Sequence, residues 1–157
     1  MSPLTRLSNV RRAVAAAAAV LSIVLLFPIR YLASPRWTVW VVDDADRPVP
    51  GIFVRLTYQN YSAENRGHEL TTVTDGTGHV VFPPEYRRAS VLQKAFHTLL
   101  SATAGAHASS GRHAYVFAFG EGQEGVASSD GYVADWQGSP DTMDSKIVVT
   151  RMQTTPD

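Results

Sequence analysis

Apolar residues follow three rhythms along this chain, and each predicts a different element. From Ala13 to Ile29 the chain carries no charge and is almost unbroken in its apolarity. From Trp37 to Phe82, and again from Tyr115 to Thr150, apolar and polar residues largely alternate, the period of half-buried strands. Between these stretches Leu92, Phe96, Leu99 and Leu100 recur at helical spacing.

The unbroken run is apolar on every face, which sets it apart from the surface helix of a soluble domain. As a helix it rises roughly 26 Å, slightly less than a ~30 Å hydrocarbon core. Arg30 can snorkel outward while Tyr31 and Trp37 suit the headgroup layer. Residues 13–33 are therefore expected to form a transmembrane signal-anchor helix, after a cytoplasmic tail at 1–12 and before a linker at 34–36. Cleavage near Ala33 or Ser34 would place Tyr31 or Leu32 where a small residue is needed, so the segment is expected to be retained. Arg6, Arg11 and Arg12 precede the run and Arg30 and Arg36 follow it. That flank favours a single-pass protein of the cell membrane, its domain facing the periplasm or the extracellular side.

The alternating stretches divide into about seven short strands. Trp37–Val42 is ended by Asp43, Asp44 and Asp46. Ile52, Val54, Leu56 and Tyr58 then share one face of a strand. Leu70–Thr74 and His79–Phe82 flank the turn Asp75-Gly76-Thr77-Gly78. Tyr115, Phe117 and Phe119 alternate with Val116 and Ala118, and Tyr132–Trp136 and Ile147–Thr150 complete the set. The fold class expected is mostly β, a seven-stranded immunoglobulin-like or transthyretin-like sandwich over 37–157. Phe117 and Phe119 are expected in its interior with Val54 and Leu56. One inserted α-helix, from about Glu85 or Ser90 to Leu100, should pack its apolar stripe on the sandwich.

Charge divides the chain at Trp37. From there onward lie nine of the fourteen basic residues and all fourteen acidic ones, a balance of −5. Such a domain repels phosphate backbones as a whole, so no nucleic-acid partner is expected. The chain has no cysteine, which excludes disulfides and a lipidated cysteine and suits a bacterial exported domain.

Two segments carry a family resemblance. V-D-D-A-D-R-P-V-P-G-I-F-V (Val42 to Val54) and T-D-G-T-G-H-V-V-F-P (Thr74 to Pro83) resemble the carboxypeptidase regulatory-like family of small transthyretin-like sandwiches. The resemblance implies a non-catalytic scaffold, often attached to bacterial envelope proteins. After Phe82 the chain departs from that family with the helical insertion. Independently of the family, Gly51 suits a turn into the second strand, and Asp75 can accept from amides of the turn that Gly78 closes.

Candidate chemistry gathers in and after the insertion. His107, Ser109, Ser110 and Arg112 lie in a loop of small residues and are expected near Trp136, as a surface for an unidentified envelope protein or glycan. Rings at strand ends (Tyr58, Tyr61, Tyr132, Trp136) could stack on a sugar or a partner. A small serine hydrolase using His107 with Ser109 or Ser110 is the enzymatic alternative, but no Gly-x-Ser-x-Gly elbow supports it. The five histidines show no zinc-ligand spacing. Asp43, Asp44, Asp46 and Asp75 lack the distal glutamate of a calcium loop. No metal, cofactor or catalytic residue is expected. The working expectation is a membrane-anchored, non-catalytic binding or structural module of the cell envelope, or alternatively a carbohydrate-binding module.

Overall fold

Alternation builds the core. In the computed structural model, which describes residues 3–103, 109–129 and 132–151, strand β2 (Arg36–Val42) turns Trp37, Val39 and Val41 inward. Strand β3 (Phe53–Asn60) does the same with Val54, Leu56 and Tyr58. All but Tyr58 are completely buried, and burying each such side chain stabilises by about 1.5–3 kcal/mol.

β2 is the middle of a three-stranded sheet, with β5 (His79–Phe82) antiparallel on one side and β11 (Thr142–Val148) parallel on the other. β3 belongs to an antiparallel five-stranded sheet in the order β12 (Thr150–Arg151), β8 (Gln123–Val126), β7 (Arg112–Gly120), β3, β4 (His68–Val73). Two ribbons complete the β structure: β1 (Ile29–Ser34) with β6 (Glu85–Ala89), and β9 (Ser128–Ser129) with β10 (Tyr132–Val133). Both larger sheets feed one hydrophobic core, joined by Ala33 from β1 and by Trp136. β6, β8 and β9 come from Arg-, Glu-, Gly- and Ser-rich segments without clear alternation and β1 from the run expected as membrane helix, which is why the expected set of seven strands falls short; β10 lies within the expected Tyr132–Trp136 strand.

The turns behave as their residues dictate. Asp75 Oδ1 accepts from the Thr77 amide at 2.8 Å, the Thr77 hydroxyl at 2.7 Å and the His79 amide at 3.0 Å. Those donors, the Thr77 hydroxyl foremost, lower its carboxyl from the ordinary 3.8 to about 2. Gly78 has φ 72°, and a Cβ there would lie 2.6 Å from the Val41 carbonyl oxygen. Gly51 has φ 77° in open space.

Three sequence expectations are corrected. First, helix α1 covers Pro3–Leu26, and the chain enters β1 at Ile29. Residues 29–33 are thus strand and not membrane helix, and 34–36 are not a linker, because Ser34 is buried and Arg36 opens β2. Pro28 cannot continue the helix, and Ile29–Leu32 find a partner in β6, where Tyr31 pairs with Arg87. The apolar part of α1 from Ala13 to Leu26 rises only roughly 21 Å. No helix among the described residues is long and apolar enough to cross a membrane.

Second, β7 presents Ala114, Val116 and Ala118 to the core and turns Tyr115, Phe117 and Phe119 outward. The interior beside it is already filled by Trp37, Trp136 and Leu56, so close packing there admits small residues and rejects a row of rings. Phe119 stacks instead on Phe53 across the outer face, with ring centroids 5.8 Å apart.

Third, Glu85–Ala89 is strand, and helix α2 covers Val91–Thr103 with Ser90 as its cap, the Ser90 hydroxyl accepting from the Gln93 amide at 3.1 Å. The stripe of α2 does not pack on the sheets. Leu92, Phe96 and Leu99 are 49%, 57% and 67% exposed. The helix meets the domain with polar residues: Gln93 Nε2 donates to the Ala63 carbonyl at 2.8 Å, and Lys94 Nζ lies 5.3 Å from the centre of the Tyr31 ring. α1 lies against α2.

Candidate functional site

Of the surface expected from sequence, part is assembled. The Arg112 guanidinium lies over the Trp136 ring at 5.4 Å and donates to the Leu32 carbonyl at 3.1 Å. It also fills the space above Gly138, where an added Cβ would come within 2.7 Å of it. Trp136 is 1% exposed and exchanges backbone hydrogen bonds with Ala114. This pair therefore ties β7 to β1 and to the segment following β10, and offers little open ring. His107 lies outside the described residues. Ser109 and Ser110 are exposed, and Ser110 uses its main-chain carbonyl, not its hydroxyl, to hold His113 Nε2 at 2.9 Å. His113 Nδ1 meets Asp135 at 2.8 Å. Among the described residues no serine hydroxyl is hydrogen-bonded to a histidine. Tyr58 is buried, Tyr61 stands edge-on to His113, and the Tyr132 side chain lies outside the described residues.

Two surfaces escaped the sequence reading. One is the aromatic row on the outer face of the five-stranded sheet. Tyr115 stacks on Phe117 at 6.2 Å, Phe117 meets Phe119 at 5.6 Å, and Arg55 lies over Phe119 at 5.2 Å. Phe53 is 47% exposed and Val126 borders the same face. Alternation made these rings visible, but Phe117 and Phe119 were expected inside the sandwich, and they lie on its outer face.

The other is a cleft of about 480 Å³ where β4, β6 and α2 meet. Arg66 lines it from the bend before β4, His68 from the first position of β4, Arg87 and Arg88 from β6, and Gln93 and His97 from one face of α2. A chain of hydrogen bonds forms its floor. Arg87 Nη2 donates to His68 Nδ1 at 2.8 Å. Because Arg can only donate, Nδ1 is an acceptor and the ring proton sits on Nε2, which donates to Glu64 Oε2 at 2.6 Å. The other oxygen of Glu64 accepts from the Tyr31 hydroxyl. Burial, then the Glu64 carboxylate, hold the Tyr31 phenol protonated far above the ordinary tyrosine range. The Tyr58 ring stacks on His68 at 5.3 Å.

Glu64 is thus engaged through both oxygens, and it is the only acid among the cleft's described lining residues. Elsewhere on the domain three cations are matched, Arg47 to Asp43, Arg55 to Glu69 and Lys146 to Asp46, while Arg30, Arg36, Lys94 and Arg112 form no described salt bridge. Among the described residues no carboxylate forms a salt bridge with Arg66, Arg87 or Arg88. The doublet Arg87-Arg88 is plain in the sequence, but its convergence with Arg66 and α2 needs the pairing of β1 with β6. The aspartates of the far turns serve locally: Asp43 holds the Ala45 and Arg47 amides and the Arg47 side chain. Among the described residues no three His, Cys, Asp or Glu side chains converge to hold a metal.

No protein-family model matches this chain and no curated protein is significantly similar to it, so the carboxypeptidase regulatory-like resemblance rests on its own residues.

Proposed function

We propose that this chain is a non-catalytic binding module of the cell envelope, a transthyretin-like sandwich held at a membrane by its helices, with the domain on the extracytoplasmic side. The observation that carries the reading is the orientation of apolar surface on the two helices. Val14, Val20, Ile23 and Val24 of α1 and Phe27 just after it are 57–65% exposed, so the helix is apolar around its circumference. α2 adds Leu92, Phe96 and Leu99 on its outward side. Contiguous apolar surface of this kind belongs in lipid or against another protein. Arg11, Arg12 and Arg30 flank α1's apolar stretch, as the edges of a lipid-embedded segment require. The full chain is expected to sediment with membranes and to remain there after alkaline carbonate washing. Protease added from outside the membrane should reach the β domain, from β1 onward, and leave α1 protected. A freely soluble full chain would overturn this reading.

The aromatic row favours a second reading, glycan binding, because flat exposed rings offer faces on which a sugar can stack. On a glycan array the wild-type chain should then bind a defined set of sugars, and Phe117→Ala should abolish that binding. An array without binding removes the glycan reading and leaves the membrane reading standing.

A further inference from the structure

We propose that the cleft of Arg66, Arg87 and Arg88 is a binding site for a phosphate-bearing anion, taken either as the headgroup of an anionic phospholipid or as free phosphate. The lipid source rests on the membrane reading above; the free-phosphate source does not.

Charge is the first ground. Three guanidinium groups lie around one concavity without a described carboxylate partner, on a domain that carries five more negative than positive charges. Like charges held together repel unless a counter-charge lies between them. Glu64, which accepts from Tyr31 and His68, and Glu85 supply part of that counter-charge to Arg87, whereas Arg66 and Arg88 have no described carboxylate within salt-bridge distance. Arg is also the residue whose planar fork matches phosphate oxygens, two donors to two acceptors.

Position is the second ground. Gln93 and His97 stand one turn apart on the side of α2 that faces the cleft. Leu92, Phe96 and Leu99 occupy the adjoining exposed side. A phospholipid headgroup seated among the arginines would therefore leave its chains free to run along an apolar stripe. Cations cluster at this end of the molecule: Arg30 lies over the Tyr86 ring at 3.9 Å and Lys94 over Tyr31. The aspartates Asp43, Asp44, Asp46 and Asp75 sit in turns beyond the opposite end of β2. The molecule presents its cationic end on the side of its apolar helices, the polarity an anionic lipid surface selects.

The test uses the full chain in a non-ionic maltoside detergent. It is titrated separately with inorganic phosphate, dihexanoyl phosphatidylglycerol and dihexanoyl phosphatidylcholine, and the ring signals of His68 and His97 are followed by NMR. Saturable shifts of both rings are expected with phosphatidylglycerol, at least tenfold weaker with phosphatidylcholine. The exposed double substitution Arg66→Gln/Arg88→Gln should weaken phosphatidylglycerol at least tenfold with an unchanged melting temperature. If that pair lowers the melting temperature, Arg66→Gln alone should still weaken binding several-fold. Shifts with inorganic phosphate as well support a site for the free anion; shifts with phosphatidylglycerol alone support the headgroup. Equal shifts with both lipids, no saturable shift with any probe, or wild-type affinity in the folded variants overturns the site. Carbonate-resistant sedimentation of the double variant reports on the membrane reading separately and should stay at the wild-type level.

Discussion

Strand β2 and helix α2 treat their apolar residues in opposite ways. β2 turns Trp37, Val39 and Val41 inward until none is accessible, and Trp37 still satisfies its indole nitrogen on the Ser145 hydroxyl at 2.9 Å. α2 turns Gln93 and Lys94 to the domain and leaves Leu92, Phe96 and Leu99 outside. The difference shows that the core between the sheets is closed by its own residues, whereas the described part of the helical end leaves its apolar stripe uncovered. Apolar surface costs free energy in water wherever it lies. Its distribution therefore marks which part of the molecule is self-sufficient.

The contrast is broken most directly by two leucines. Leu56→Ala removes a fully buried side chain from the centre of the core and should cost about 2–5 kcal/mol in denaturant unfolding. Leu99→Ala, at a position 67% exposed, should change stability by less than about 0.5 kcal/mol. Equal losses at the two sites would mean that α2 is packed after all.

Two glycines sharpen the β side. Gly51 and Gly78 have nearly the same positive φ, but only Gly78 is hemmed in by the Val41 carbonyl. Alanine at either position bears the cost of a left-handed backbone, about 1–2 kcal/mol. Gly78→Ala adds the clash and should melt clearly below Gly51→Ala in calorimetry. Identical melting temperatures would show that the Asp75–Gly78 turn yields.

The outer aromatic row predicts a smaller effect. Phe119→Ala should cost about 0.5–1.5 kcal/mol, the worth of its stacking on Phe53 and Phe117. A loss near that of Leu56→Ala would return the ring to the core.

The smallest effect is a pH dependence. Asp75 titrates lower in the folded chain than in the unfolded one, so its contribution is present above the ordinary value of 3.8 and is lost as pH falls through about 2. The melting temperature of Asp75→Asn should lie slightly below wild type by a constant amount from pH 5 to pH 8. The gap should close as pH approaches 2. A gap that persists there would assign the effect to geometry rather than charge.

How much of this was legible in the residues differs from element to element. β2, β3, β5 and the Asp75–Gly78 turn follow from alternation and turn chemistry, both local properties of the backbone. Period-two alternation names two faces and does not say which is inward. On β3 the apolar face settled it, because Ile52, Val54, Leu56 and Tyr58 stand against Arg55, Thr57 and Gln59. On β7 both faces are apolar, and the volume left beside Trp37 and Trp136 decided for Ala114, Val116 and Ala118.

The cleft was the least legible feature. Tyr31 and Glu64 are 33 residues apart, and Arg87 and His68 are 19 apart; no local pattern links them. Their meeting depends on β1 leaving the helix at Pro28 and pairing with β6. By itself, then, the sequence determined the strongly alternating strands, the turns and an apolar, arginine-flanked N-terminal helix, since each depends on neighbours along the chain. Only the tertiary structure decided which face of β7 lies inside, which side of α2 faces outward and where the arginines converge. Those outcomes depend on space and partners supplied by distant segments.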